Sequence, residues 1–188
     1  MKRSASVYAV TVACVALLGC QTGLNRQETQ VGYRPDAQSI HRFRVWPFFF
    51  PTAQPYRCDK SKANPCEATV ASAACLPLFG CSGSLDHDPL VLTRKQNEID
   101  ITWTLPAGFG FCPALGDGVF LKRLEDYNKH DFRDLGPVGK PGGPNNGCKQ
   151  QYQWLAHNLM EGQQYEYRMV FRDSSNNIYV LDPWIANE

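Results

Sequence analysis

The chain has 188 residues, with 19 basic against 18 acidic side chains, 43% hydrophobic residues and eight cysteines. So even a balance gives no electrostatic hold on nucleic acid or on an anionic lipid surface, and no nucleic-acid partner is expected. Its one long apolar segment runs for about twelve residues, whereas a helix needs about 20 to cross a hydrocarbon core, so no transmembrane helix is expected.

That segment comes first. Lys2 and Arg3 precede it, and Val7 to Leu18 is apolar apart from Thr11. A charged start, a short apolar centre and small residues at its end predict a secretory signal over residues 1–19. The competing reading, a buried core helix, has only a polar, breaker-rich run behind it to pack against. Leu17-Leu18-Gly19-Cys20 resembles the lipobox of bacterial lipoproteins. The resemblance implies cleavage before Cys20, diacylglycerol on its thiol and a further acyl chain such as palmitate on its amino group. Each buried methylene contributes roughly 0.8 kcal/mol, and more than one chain makes anchoring stable. Gln21 stands where inner-membrane members of that family carry an aspartate, which implies the outer membrane, facing the periplasm.

Loss of residues 1–19 discards Cys14, Lys2 and Arg3 and leaves 169 residues with 17 basic and 18 acidic side chains. That length suits one domain with a sizeable core, or two very small ones. Besides Cys20, six cysteines remain: Cys58, Cys66, Cys75, Cys81, Cys112 and Cys148. An even set in an exported chain reads as three disulfides, and none of its spacings suits a structural zinc site. Six cysteines allow 15 pairings, among which sequence cannot choose. The expected pairing is local: Cys58–Cys66 around Asn64-Pro65, Cys75–Cys81 around Pro77 and Gly80, and Cys112–Cys148 across a long loop.

Residues 20–40 carry the lipidated cysteine and a run rich in Gln, Asn, Thr, Gly and Arg, read as a flexible tether spanning roughly 25 Å. Residues 41–87 form an aromatic arm and a cysteine-rich segment, expected to pack on the domain. His41 to Pro51 holds Phe43 and Val45 alternating with Arg42 and Arg44, then Trp46 and three phenylalanines. This stretch reads either as an edge strand or as an aromatic-basic contact with the membrane interface. A wholly exposed triple phenylalanine would invite aggregation. Ala68 to Ala74 suits a short strand or a short helix.

A domain is expected over 88–188. Pro89–Thr93 reads as a strand. Ile99, Ile101, Trp103 and Leu105 alternate with Asp100, Thr102 and Thr104, the period-two pattern of a strand with one apolar face. Gly and Pro interrupt residues 106–118, Val119–Leu124 reads as a strand, and a charged segment runs to Asp134. Residues 136–147 read as a Gly/Pro/Asn loop. Tyr152 and Trp154 alternate with Gln151 and Gln153. Tyr165, Tyr167, Met169 and Phe171 then share one strand face, and Asp173–Asn177 turns into Ile178–Leu181. Short strands with turns between them and no clear helix predict an all-β, antiparallel sandwich.

These residues resemble a fibronectin type III or immunoglobulin-like sandwich. Trp103 sits where such domains carry a core Trp, and Leu159-x-x-Gly162-x-x-Tyr165 resembles their tyrosine corner. That motif implies a Tyr165 hydroxyl bonded to the chain a few residues upstream. The long loops after Leu105 and at 136–147 depart from the family pattern. Asp182-Pro183-Trp184 is similar, over three residues only, to the close of sandwich modules that precede amylase-type catalytic domains.

Four tryptophans could stack on a sugar. Trp103 and Trp154 belong to apolar strand faces and read as core, while Trp46 and Trp184, beside prolines near segment ends, are the candidate binding pair. Asp86-His87-Asp88 is the one compact set of metal-type ligands, and it lacks the oxygens a calcium loop needs and the partners a zinc site needs. His130-Asp131 reads as a solvated turn and Glu125-Asp126 as surface charge. There is no Gly-x-Ser-x-Gly, and Pro141 follows Gly139-Lys140 where a phosphate loop needs Ser or Thr and a helix. No catalytic residue, metal or cofactor is expected. The expected role is non-enzymatic binding or scaffolding in the envelope, with a membrane partner through Cys20 and another envelope protein as ligand. The alternatives are a carbohydrate- or peptidoglycan-binding module and a hydrolase with a dispersed site.

Overall fold

A computed structural model describes residues 29–30, 53–61, 66–76, 80–93, 98–157 and 160–188. Cys20, Trp46 and the His41–Pro51 stretch lie outside the described residues. Thirteen strands follow in chain order: β1 Thr29–Gln30, β2 Gln54–Arg57, β3 Glu67–Leu76, β4 Gly80–Leu85, β5 His87–Leu92, β6 Ile99–Thr104 and β7 Phe109–Gly110. After them come β8 Gly118–Leu121, a single helical turn α1 at Leu124–Tyr127, β9 Phe132–Gly142, β10 Asn145–Ala156, β11 Gln164–Asp173, β12 Ile178–Leu181 and β13 Trp184–Asn187.

Hydrogen bonds link the strands in the order β1-β9-β10-β6-β3-β4-β12-β11-β13-β5-β2, with β7 and β8 added along β11. One strand, β3, carries this path from one layer to the other. The start of β3 pairs with β6, Ala68 opposite Trp103, and its remainder pairs with β4. β13 and β12 follow one another along a single edge of β11, pairing in one register with Gln164–Glu166 and with Met169–Arg172, and the Tyr167 N–H donates to the Pro183 carbonyl between them. The face of β6, β9 and β10 meets the inner face of β11. Trp103 lies edge-on to Trp154 at 5.0 Å and tilted to Tyr167 at 5.1 Å, and Phe132 stands edge-on to Tyr165 at 4.8 Å. Trp103, Trp154, Tyr165 and Tyr167 are fully buried, as expected for Trp103 and Trp154 from their strand faces.

The sheet is mixed, which corrects the expectation of antiparallel strands. β3 runs parallel to β6, β4 to β12, and β5 to both β13 and β2. Period-two patterning shows which side chains share a face but not which way the neighbouring strand runs. Here β4–β5 and β12–β13 lie side by side in the same direction because the chain between them crosses to the other layer and returns.

A second correction concerns residues 136–147. They belong to the longest hairpin, β9–β10, and not to an aperiodic loop. Register shifts at Asn145/Lys149, Lys149/Gln151 and Gln153/Trp154 erase the alternation that would have marked it. Gly136 and Gly139 take left-handed φ values of 79° and 82°, which a side chain would resist. Pro137 and Pro141 lack an N–H, a loss tolerated in a strand near the sheet edge. Ala68–Ala74 is strand, within β3. Disulfides join Cys58 to Cys66, Cys75 to Cys81 and Cys112 to Cys148, the local pairing.

Candidate functional site

Trp184 is 38% exposed, the only described tryptophan not buried. It opens β13 opposite Glu166 of β11, so the two side chains share the outward face. Its backbone N–H donates to Asp88 Oδ1 at 2.9 Å, which ties the strand start to β5. On the same outer face, Arg168 lies opposite Phe120 of β8 and two residues along β11 from Glu166. Lys122, whose N–H donates to the Glu166 carbonyl at 3.0 Å, extends the row beyond β8.

The charges on this face neutralise one another in a network. Arg123 Nη2 donates to Glu166 Oε1 at 3.1 Å, and Lys122 Nζ lies 3.3 Å from the other Glu166 oxygen and 3.7 Å from Asp182 Oδ2. Arg168 grips Asp182 with two parallel bonds, 2.8 and 3.2 Å. With Glu125 Oε1 3.6 Å from Arg123 Nη1, three cations face three carboxylates here, a bidentate pair among them, and such forks fix geometry better than single ion pairs. Glu166, chiefly by its charge, pushes the Arg123 guanidinium further up. The result is an indole edged by fixed donors and acceptors on a strand face. Sequence reading found Trp184 but not its charged neighbours. Glu166, Arg168 and the Asp182-x-Trp184 spacing already alternated outward, and only strand register brings them together.

Other polar residues have structural roles. Asp86 Oδ1 accepts the Thr69 N–H at 2.7 Å, and His87 stacks on Tyr56 with centroids 4.5 Å apart, so Asp86-His87-Asp88 serves the backbone and a ring contact. Burial pushes the Asp88 carboxyl up, against the lowering effect of the Trp184 N–H. Among the described residues, no three His, Cys, Asp or Glu side chains converge to hold a metal. Lys140 is exposed on β9.

Two surface readings are corrected. Asp131 is only 1% exposed, while His130 beside it is exposed at a left-handed φ of 55°. Asp126 is also 1% exposed and pairs with Lys129 Nζ at 2.9 Å, whereas Glu125 stays exposed. Short-range sequence could not show that Tyr165 of β11 and Asn187 of β13 close on Asp131, or that Lys129, bonded also to Gln163, pairs with Asp126. Tyr165 is no tyrosine corner either, since its hydroxyl donates to the Asp131 carboxylate, which Asn187 Nδ2 also reaches at 3.3 Å. Burial, with that carboxylate next in effect, pushes the Tyr165 phenol well above its ordinary range.

Comparison with known proteins finds no matching family model and no matching curated relative.

Proposed function

We propose that this chain is a bacterial lipoprotein, cut before Cys20, acylated there and held at the outer membrane with its folded part facing the periplasm. Its role is non-catalytic binding or scaffolding within the envelope, and its two strand layers form an immunoglobulin-like or fibronectin type III-like sandwich in which β3 passes between layers. Leu17-Leu18-Gly19-Cys20 behind a charged and apolar start supports the anchor. Three disulfides support an oxidising compartment such as the periplasm. The observation that carries the binding role is Trp184, half-exposed beside the Glu166–Arg123–Lys122–Asp182–Arg168 network, since aromatic and Arg side chains supply most of the energy at protein interfaces.

A photo-crosslinking residue placed at 184 in cells should give a discrete protein adduct that weakens when Arg168→Ala breaks the fork. The same probe at Ala71, exposed on β3, should give none. Equal adducts from both positions would contradict the assignment. A second reading, a glycan or peptidoglycan module, is favoured by the indole lying among carboxylate and guanidinium groups, which suit a sugar ring and its hydroxyls. Retention of the soluble domain on peptidoglycan, lost in Trp184→Ala, would select that reading over the first.

A further inference from the structure

Thr29 and Gln30, although part of the stretch read as a free tether, pair antiparallel with the outer edge of β9, Thr29 opposite Asp134 and Gln30 opposite Arg133. This strand lies only about nine residues after Cys20, a reach of roughly 30 Å at full extension. Without it, the first described strand after Cys20 would be β2 at Gln54, a separation of up to roughly 115 Å at full extension. We infer that β1 is a strap that holds the β9 side of the domain toward the lipid surface, leaving the β3 side turned away from it. The inference rests on the proposed acylation of Cys20 and adds an orientation to it.

Strand order gives the strap a direction. β9, β10, β6 and β3 lie in that sequence, so β3 stands roughly 14 Å or more from β9 at the usual strand spacing. Register ties the two sides to one common row. Thr69 pairs with Thr104, Thr104 with Gln151 and Gln151 with Val138, which sets one row across the layer; exposed Lys140 follows it on β9, and exposed Ala71 follows it on β3, at the bulge where β3 turns to pair with β4. A label at Lys140 sits on the strapped strand itself, whereas one at Ala71 sits three strands across the layer, where β3 bends away toward β4. The partner is a phospholipid headgroup layer, reached because the chain ends its leash there and not through a basic patch.

Full-length acylated protein, purified from membranes, is placed in phosphatidylethanolamine/phosphatidylglycerol vesicles carrying a headgroup-linked fluorescence acceptor. Lys140→Cys or Ala71→Cys supplies the one free thiol for a donor dye. Transfer from position 140 should exceed that from position 71 at least twofold. Thr29→Pro with Gln30→Pro should abolish the difference, because successive N–H groups point to opposite edges and one of the two must face β9. Equal transfer from both labels in vesicle-bound protein, or greater transfer from position 71, would overturn the strap and leave the anchor intact. Protein that stays off the vesicles and carries no lipid would overturn both.

Discussion

The indole N–H of Trp103 on β6 donates to the hydroxyl of Tyr167 on β11 across the core, at 2.8 Å, with both side chains fully buried. This bond joins the two layers at their centre, where Trp154 packs on both rings. Burial pushes the Tyr167 phenol well above its ordinary range. Tyr167→Phe leaves the indole donor unsatisfied in an apolar setting, at a cost of about 1–3 kcal/mol. Urea unfolding of Tyr167→Phe, Trp103→Phe and the double variant should show a clear coupling energy. Additive losses would place the stabilisation in packing alone.

A second polar link lies at the Asp131–Tyr165–Asn187 cluster. Tyr165→Phe should cost about 1–3 kcal/mol. Asp131→Ala should then cost less in the Tyr165→Phe background than in the native chain, because the two groups satisfy each other. A hydroxyl bonded to upstream backbone would instead leave the two losses additive in denaturant titrations.

The strands best read from sequence are those with an apolar face of period two. β6 alternates buried and outward positions from Ile99 to Thr104, and Tyr165, Tyr167, Met169 and Phe171 line the inner face of β11. β9 was hidden because its glycines and prolines encode bulges and an edge position, features that locally look the same as a loop. Asp126, Asp131 and the partner of Tyr165 were hidden for another reason. Whether a carboxylate beside His130 or Glu125 is solvated depends on strands 30 to 60 residues further along the chain. The same holds for the charges around Trp184, which only strand register assembles.

The disulfides differ in the loops they close, with sequence separations of 8, 6 and 36. Chain-entropy reasoning gives about 4 kcal/mol for Cys112–Cys148 and about 2 kcal/mol for Cys75–Cys81. Serine replacement of the first pair should therefore lower the urea midpoint more than replacement of the second. A thiol assay on denatured, unreduced native protein should detect none of the six cysteines free.

Asp88 gives a pH signature. Burial raises its folded carboxyl pKa above the ordinary value. The folded protein therefore holds this proton more tightly than the unfolded chain, and stability falls as pH rises from the unfolded to the folded value. Asp88→Asn keeps an oxygen for the Trp184 N–H and never carries the buried charge. It should raise Tm at pH 7 relative to the native chain, with the advantage fading toward pH 3. A penalty at pH 7 would show that the charge itself is needed.

Asp173 has the opposite sign. Desolvation pushes its carboxyl up, but hydrogen bonds from Asn177, Tyr179 and the Ser175 N–H outweigh it and hold the folded value below the ordinary one. Its stabilisation is present above the unfolded pKa and is lost as pH falls through the folded one. Asp173→Ala should therefore destabilise the β11–β12 turn at pH 7, by about 1 kcal/mol for the lost hydrogen bonds. The difference from the native chain should shrink in acid melts.

All of the proposed biology depends on Cys20. Cells expressing the full chain with labelled palmitate, followed by mass spectrometry of the mature amino terminus, test it most directly. Label is expected on a protein that begins at an acylated Cys20, and none after Cys20→Ala. A mature chain that begins elsewhere, or label that persists in Cys20→Ala, would contradict it.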